Sequence, residues 1–333
     1  MITVPLVRTY CLKKGYVDLP NKRKVHKRPI PRLGGVAIWL SVLFSFVFLV
    51  LINSDYPHGN GLSGIFLGGS IIFLLGLIDD LYDLNPKFKL FIQVGAAVIA
   101  FLLGVKIDIL SNPFGDPIML GLFSLPITIF WLTGITNAVN FIDGVDGLAG
   151  GVIAIISLTL GIVAVYSNQP ASALVAILLA GAILGFLIFN FYPAKIFMGD
   201  SGALFSGFIL AGLSVAGVVK TIAVSVLLPL LIFTVPIMDM SFSVFRRLLK
   251  GSNPMSADNE HIHHKLLKSG FSQNRTVAIL YTFGIAGGAV ATFLIDAHKI
   301  YLCIMLFILL FMLAFSRLAK FRRYKELKEA RQK

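Results

Sequence analysis

The chain has 333 residues, 57% of them hydrophobic and only 14% charged, with a mean hydropathy of +0.87, which argues against a water-soluble enzyme. It is also basic, with 29 lysines and arginines against 16 acids and a net charge of +13, yet a chain this apolar must satisfy a bilayer before its cations are read as a nucleic-acid footprint. Cys11 and Cys303 stand near opposite ends with no metal-ligand spacing, so neither a disulfide framework nor a zinc site is indicated.

A helix needs about 20 apolar residues to cross a hydrocarbon core roughly 30 Å thick. Uncharged runs of suitable length occupy 33 to 53, 61 to 78, 90 to 105, 120 to 141, 148 to 166, 171 to 190, 201 to 219, 221 to 238, 276 to 295 and 300 to 316. They predict an all-α, polytopic membrane helix bundle of about 10 transmembrane helices, forming one domain over residues 1 to 333. Met1 to Leu12 contains Arg8 and is too short for a signal peptide or a spanning helix. With both termini on one side, 26 of the 29 cations share that side and only Lys106, Lys220 and Lys299 lie opposite. That side is therefore expected to be cytoplasmic, together with the large loop 239 to 275 and the basic tail 317 to 333. Twelve of the 16 acids fall there too, and the positive-inside rule says little about acids.

Taken in chain order, five clusters are candidates for chemistry. Lys22 to Arg28 leads into Pro29-Ile-Pro-Arg-Leu-Gly-Gly35; topology or headgroup attraction accounts for most of the charge, but the proline and glycine pattern is too shaped for charge alone. At the end of the second span, Asp79, Asp80 and Asp83 crowd together if the helix continues. Like charges so close call for a bridging cation, and carboxylate oxygens suit Mg²⁺; a solvated acidic helix end is the plain alternative. Asn137, Asn140, Asp143 and Asp146 recur every third residue, with Gly144 and Gly147 marking a tight turn. Two amides and two carboxylates can read a base or sugar edge and complete a metal shell. Asp200, in Asn190 to Gly202, precedes a helix whose start suits phosphate, although a simple N-cap explains it equally well. His261, His263 and His264, beside Lys265 and Lys268, match no zinc spacing and better suit phosphate oxygens or a sugar.

Together the stretches Arg23 to Gly35, Asp79-Asp80 with Asp83, Asn137 to Gly147, Asn190 to Gly202 and His261-Ile-His-His264 resemble the polyprenyl-phosphate N-acetylhexosamine-1-phosphate transferases. This is the WecA and TagO type of glycosyltransferase 4 family, with MraY more distant. The resemblance implies transfer of a sugar 1-phosphate, most simply GlcNAc-1-phosphate, from a UDP-sugar to undecaprenyl phosphate with release of UMP. That is a first membrane step of lipopolysaccharide, teichoic acid or other cell-envelope polysaccharide synthesis. It implies Mg²⁺ as cofactor, with Mn²⁺ as substitute, and a cytoplasmic active face on the bacterial cytoplasmic membrane. Its partners would be UDP-N-acetylhexosamine, undecaprenyl phosphate, membrane lipids and a second copy in a homodimer, with no nucleic acid.

By motif, Asp79, Asp80 and Asp200 resemble the catalytic acids, with Asp200 and Asp80 toward the metal. Asn140, Asp143 and Asp146 resemble nucleotide-site residues, Asn190 a diphosphate or metal neighbour, and Phe197 a uracil stack. Lys27, Lys87, His261, His263 and His264 would face phosphate or sugar. Such proteins open with one more helix than is seen here; with it the count becomes eleven. The alternatives are a phospho-MurNAc-pentapeptide transferase and, from another class, a transporter, against which stands the absence of ionisable groups inside the ten apolar runs. A CDP-alcohol phosphotransferase would carry an Arg that Asp143 to Gly150 lacks.

Overall fold

The computed structural model describes residues 2–19, 29–52, 61–110, 116–217, 227–249 and 261–306. Its helices are α1 (Thr3–Lys14), α2 (Gly34–Ile52), α3 (Leu62–Tyr82), α4 (Pro86–Leu102), α5 (Ser124–Phe141), α6 (Leu148–Tyr166), α7 (Pro170–Asn190), α8 (Gly199–Gly217), α9 (Leu227–Ile232), α10 (Thr234–Leu249), α11 (Ile262–Lys268) and α12 (Gln273–Phe293). The sheet content is two antiparallel pairs of two-residue strands, β1 (Val17–Asp18) with β2 (Ile30–Pro31) and β3 (Ile109–Leu110) with β4 (Ile118–Met119).

Among the described residues six helices are long and apolar enough to cross a bilayer: α3, the run Gly121–Phe141 that ends with α5, α6, α7, α8 and α12. The chain is thus an all-α membrane protein. Helices α6 and α8 form its centre, each with 89% of its apolar window buried. Apolar side chains such as Phe44, Phe48, Leu74, Phe130 and Phe293 point outward, as a lipid solvent requires of a bundle with no aqueous jacket. Small residues let α3 and α8 meet closely: a Cβ on Gly76 would stand 2.6 Å from the Ser201 backbone. That contact brings the C-terminal end of α3 against the N-terminal end of α8.

The short apolar-leaning start is helical. α1 buries Val4 and Cys11, and its Thr3 hydroxyl lies 3.1 Å from that of Ser41 on α2. The apolar run expected over 221 to 238 is broken: α9 stops at Ile232 and α10 restarts at Thr234, continuing to Leu249. The segment 239 to 275 accordingly holds helix at both ends, with 250 to 260 outside the described residues. The tail 317 to 333 and Lys27 also lie outside them.

Candidate active site at the ends of α3, α5, α8 and α11

α3 ends in two adjacent carboxylates, and neighbouring helical residues point about 100° apart, so each meets a different partner. Asp79 accepts the Leu84 amide at Oδ1 and binds the Lys89 ammonium at Oδ2, both at 2.7 Å. Asp80 turns to α8, where Oδ1 accepts the Asp200 amide at 2.9 Å. Its Oδ2 accepts the Ser201 amide at 3.1 Å and the Ser201 hydroxyl at 2.7 Å. Buried Asp80 therefore caps the start of α8 from another helix, at the end where a helix carries partial positive charge. Gly199 makes this possible, with φ +73° and a position where a Cβ would collide with the Arg32 carbonyl. α3 ends at Tyr82, and Asp83 follows in left-handed conformation with an exposed side chain.

Asp200 is the open acid, its side chain 32% exposed. Its Oδ1 accepts from Asn140 Nδ2 at 3.1 Å and its Oδ2 from Lys89 at 3.3 Å. One ammonium thus bridges carboxylates from α3 and α8. The sequence pointed to Lys87 for a phosphate-facing role, but Lys87 is exposed and its amide donates to Asn85 Oδ1 at 2.9 Å in the α4 cap. Asn85 as N-cap and Pro86 at the first turn were the available signal, because they fix the helix on which Lys87 and Lys89 point about 200° apart.

The Pro29 to Gly35 segment lies beside Phe197 and Met198. Phe197 donates its amide to the Pro31 carbonyl at 2.7 Å, and Gly34 and Gly35 donate theirs to the carbonyls of Phe197 and Met198 at 3.0 and 2.8 Å. The paired glycines allow this approach, since a Cβ on either would overlap the 197 to 202 backbone. Phe197 is half-buried.

Between α5 and α6 the turn from 142 to 147 is pinned from three sides. Asp146 Oδ2 accepts the Ala194 amide at 2.9 Å, Asn190 Oδ1 accepts the Gly147 amide at 3.1 Å, and the Tyr281 hydroxyl donates to the Gly147 carbonyl. Asn190 also donates Nδ2 to the Ile196 carbonyl at 2.9 Å, so this buried amide ties the turn to the 190 to 198 segment. Asn137 pairs instead with Gln93 of α4. Burial, reinforced by the charges of Asp200, Asp80 and Asp146, pushes the Asp143 carboxyl up to about 8.

The three imidazoles cluster at the start of α11. His261 and His263 are stacked, with centroids 5.7 Å apart and planes 4° apart, and His264 lies 4.3 Å from His263. His263 is 1% exposed, and among the described residues neither of its ring nitrogens has a hydrogen-bond partner. Its Nε2 sits where a Cβ on Gly144 would be 2.5 Å away, so the ring packs on the turn between Asp143 and Asp146. Burial above all, with His264 second, drives its pKa down to about 4. His261 lies beside Phe141, the last residue of α5, at 5.5 Å between centroids.

The arrangement thus gathers Asp79, Asp80, Asn140, Asp143, Asp146, Asn190, Asp200 and the three histidines around four helix ends. It adds Lys89 and leaves Lys87 outside. No three His, Cys, Asp or Glu side chains among the described residues converge as a metal cage. Mg²⁺ needs only one or two carboxylates when substrate phosphates complete its shell. The half-open Asp200 carboxylate, with Asp79 across Lys89 and Asn140 alongside, offers the hard oxygen donors that fit it.

Residues 62–218 match the family model described as glycosyl transferase family 4. A Bacillus subtilis protein named "Probable undecaprenyl-phosphate N-acetylglucosaminyl 1-phosphate transferase" is 39% identical over 287 residues, covering 85% of this chain and 78% of that one. The chain belongs to glycosyl transferase family 4. Two further relatives are a Mycolicibacterium smegmatis protein named "Decaprenyl-phosphate N-acetylglucosaminephosphotransferase" and an Escherichia coli protein named "Undecaprenyl-phosphate alpha-N-acetylglucosaminyl 1-phosphate transferase". The first is 33% identical over 87% of this chain and 78% of its own length. The second is 30% identical over 84% and 76%. The matched region of the family model spans α3 to α8 and so contains every acid of the cluster.

Proposed function

We propose that this protein transfers GlcNAc-1-phosphate from UDP-GlcNAc to undecaprenyl phosphate, releasing UMP. An oxygen of the lipid phosphate attacks the sugar-bearing phosphorus of the nucleotide. A P–O bond forms there, the P–O bond to UMP breaks, and the products are UMP and a lipid-linked pyrophosphoryl sugar. The observation that carries this reading is the Lys89 ammonium between Asp79 and Asp200 at a site where four helix ends meet.

Transfer between two anions asks the protein for positioning and for charge opposite the phosphates, with little covalent work. Lys89 supplies a cation there. Asp80 orients the Asp200 backbone and the α8 start, and Asn140 orients the Asp200 carboxylate. When bound, Mg²⁺ would be held by Asp200 and would offset phosphate charge; Asp80 acts on it through Asp200. Asp143 and Asp146 face the nucleotide, Phe197 its uracil, and the histidines the sugar or phosphate. A lipid phosphate ionised near neutral pH needs little help from a base, so Asp79 holds Lys89 in place ahead of accepting a proton. In this reading the chain is one transferase domain crossing the cytoplasmic membrane about ten times, with this site on the cytoplasmic side, where cations accumulate.

Purified protein given Mg²⁺, undecaprenyl phosphate and a panel of UDP-sugars should yield UMP and a lipid product whose mass identifies the sugar. Folded protein that makes no product with any UDP-sugar would overturn the reading.

A further inference from the structure

α10 carries a single acid, Asp239, which is 3% exposed. A buried carboxylate needs a compensating partner, and here two partners come from the start of α11. Oδ1 accepts the Ile262 amide at 2.7 Å and Oδ2 meets His261 Nδ1 at 2.7 Å. The Ile262 amide is the first donor of α11, whose own N-cap residue, His261, supplies no capping side chain. Asp239 is thus an N-cap delivered from a neighbouring helix. It also holds the His261 ring, against which His263 stacks and beside which Phe141 leads into the turn carrying Asp143 and Asp146.

The geometry points to Asp239 as a positioning residue for the UDP-sugar side of the reaction. Its two oxygens accept two donors at once, and that fixes which atom of His261 is free. With Nδ1 donating to Asp239, Nε2 of a neutral ring is left as an acceptor, an assignment that follows from the hydrogen-bond pattern. Fixing both His261 and the first turn of α11 sets where His263 and His264 stand against Gly144. His263 is the group that most needs this, because its buried ring packs directly on Gly144 and a displacement of its helix would move it off the turn. Asp239 touches no reacting atom. It acts through the imidazoles, so its loss belongs in the affinity for UDP-sugar and not in that for the lipid phosphate. The inference rests on the transferase reading above.

Asp239→Asn keeps the shape but replaces one acceptor with a donor. The amide oxygen can still accept from Ile262, while the NH₂ group opposes the Nδ1–H of His261 and forces the other tautomer. The expected result is a rise of about tenfold or more in KM for the UDP-sugar, the scale of one lost charge-assisted hydrogen bond. KM for undecaprenyl phosphate should stay within about twofold. The double variant Asp239→Asn with His261→Ala should be no more than about twofold worse than His261→Ala alone, since the two act through one contact.

Ile262→Pro provides a second variant if Asp239→Asn fails to fold. It deletes the other donor at a first helical position, where proline is tolerated, after a His261 backbone already extended at φ −57° and ψ 157°. It should raise the same KM. Equal losses toward both substrates, or multiplicative losses in the double variant, would assign Asp239 a merely structural role and overturn the proposal. Wild-type protein inactive with every UDP-sugar would overturn the transferase reading and this inference with it. Active wild type with unchanged Asp239→Asn kinetics would overturn this inference alone.

Discussion

The acid cluster and the histidine cluster meet at the same turn but are built on opposite principles. In the first, three acids have partners within the protein while a fourth, Asp143, is lifted by burial and by the charges around it: Asp79 holds Lys89 and an amide, Asp80 holds a helix start, and Asp200 is held by Asn140 and Lys89. In the second, the anchor is satisfied and the tip is not. Asp239 holds Nδ1 of His261 and the first amide of α11, while His263 is buried with neither ring nitrogen meeting a partner among the described residues. A network of carboxylates held in place by an ammonium and by backbone amides is preorganised, which suits the region where charge is redistributed. An imidazole cluster anchored through one ring and packed on the Gly144 turn suits a region whose geometry is set by contact.

The contrast is most severely tested in the acid cluster. Asp200→Asn and Asp80→Asn should each lower kcat by about a thousandfold or more, on the scale of lost transition-state stabilisation, with membrane insertion unchanged. UMP release by the purified variants is the measurement; near-normal rates would remove both from the site. Lys89→Ala should cost about a hundredfold in kcat/KM, because it unpairs two carboxylates at once, whereas Lys87→Ala should stay within about twofold. Equal losses from the two lysines would contradict the helix phase described here.

In the histidine region a milder effect is expected. Gly144→Ala places a Cβ against His263 Nε2 at a position without positive φ, so the chain should fold while KM for the UDP-sugar rises about fivefold to tenfold.

The last prediction concerns stability against pH. Asp143 has a folded pKa raised to about 8 by burial and by Asp200, Asp80 and Asp146, against about 3.9 for an unfolded chain. Between those values the folded state binds the extra proton, so stability falls as pH rises from about 4 to 8. In the presence of EDTA the melting temperature should drift downward over this window, and Asp143→Asn should make the drift smaller. A melting temperature that rises with pH there would reverse the sign of Asp143's environment.

Much of the fold was legible in advance. The apolar runs 148 to 166 and 171 to 190 coincide with α6 and α7 to within a residue, because the length of an uncharged stretch is dictated by the solvent it crosses. The break between α9 and α10 was not legible, since Phe233 and its neighbours read as one continuous apolar stretch. In the candidate site, Gly144 and Gly147 located the turn, and the proline and glycine pattern of the Pro29 to Gly35 segment marked it as more than a run of charge. The spacing could not show that Asn137 leaves the cluster for Gln93, or that both ends of the Asn190 amide are taken by backbone. Asp239 was not legible, since it stands just past the apolar run 221 to 238 and its partners lie 22 and 23 residues away across a chain reversal.

By itself the sequence determined that this is a membrane-embedded helical protein, and which polar residues are gathered at helix ends. Hydrophobic length and charge distribution are additive along the chain and need no knowledge of neighbours. Tertiary structure alone decided which polar atoms meet: Lys89 and not Lys87 between the acids, Asp80 beneath α8, Asp239 at the head of α11. Hydrogen bonds and ion pairs act over about 3 Å, and helix phase and helix packing, which set distances on that scale, are properties of the assembled bundle.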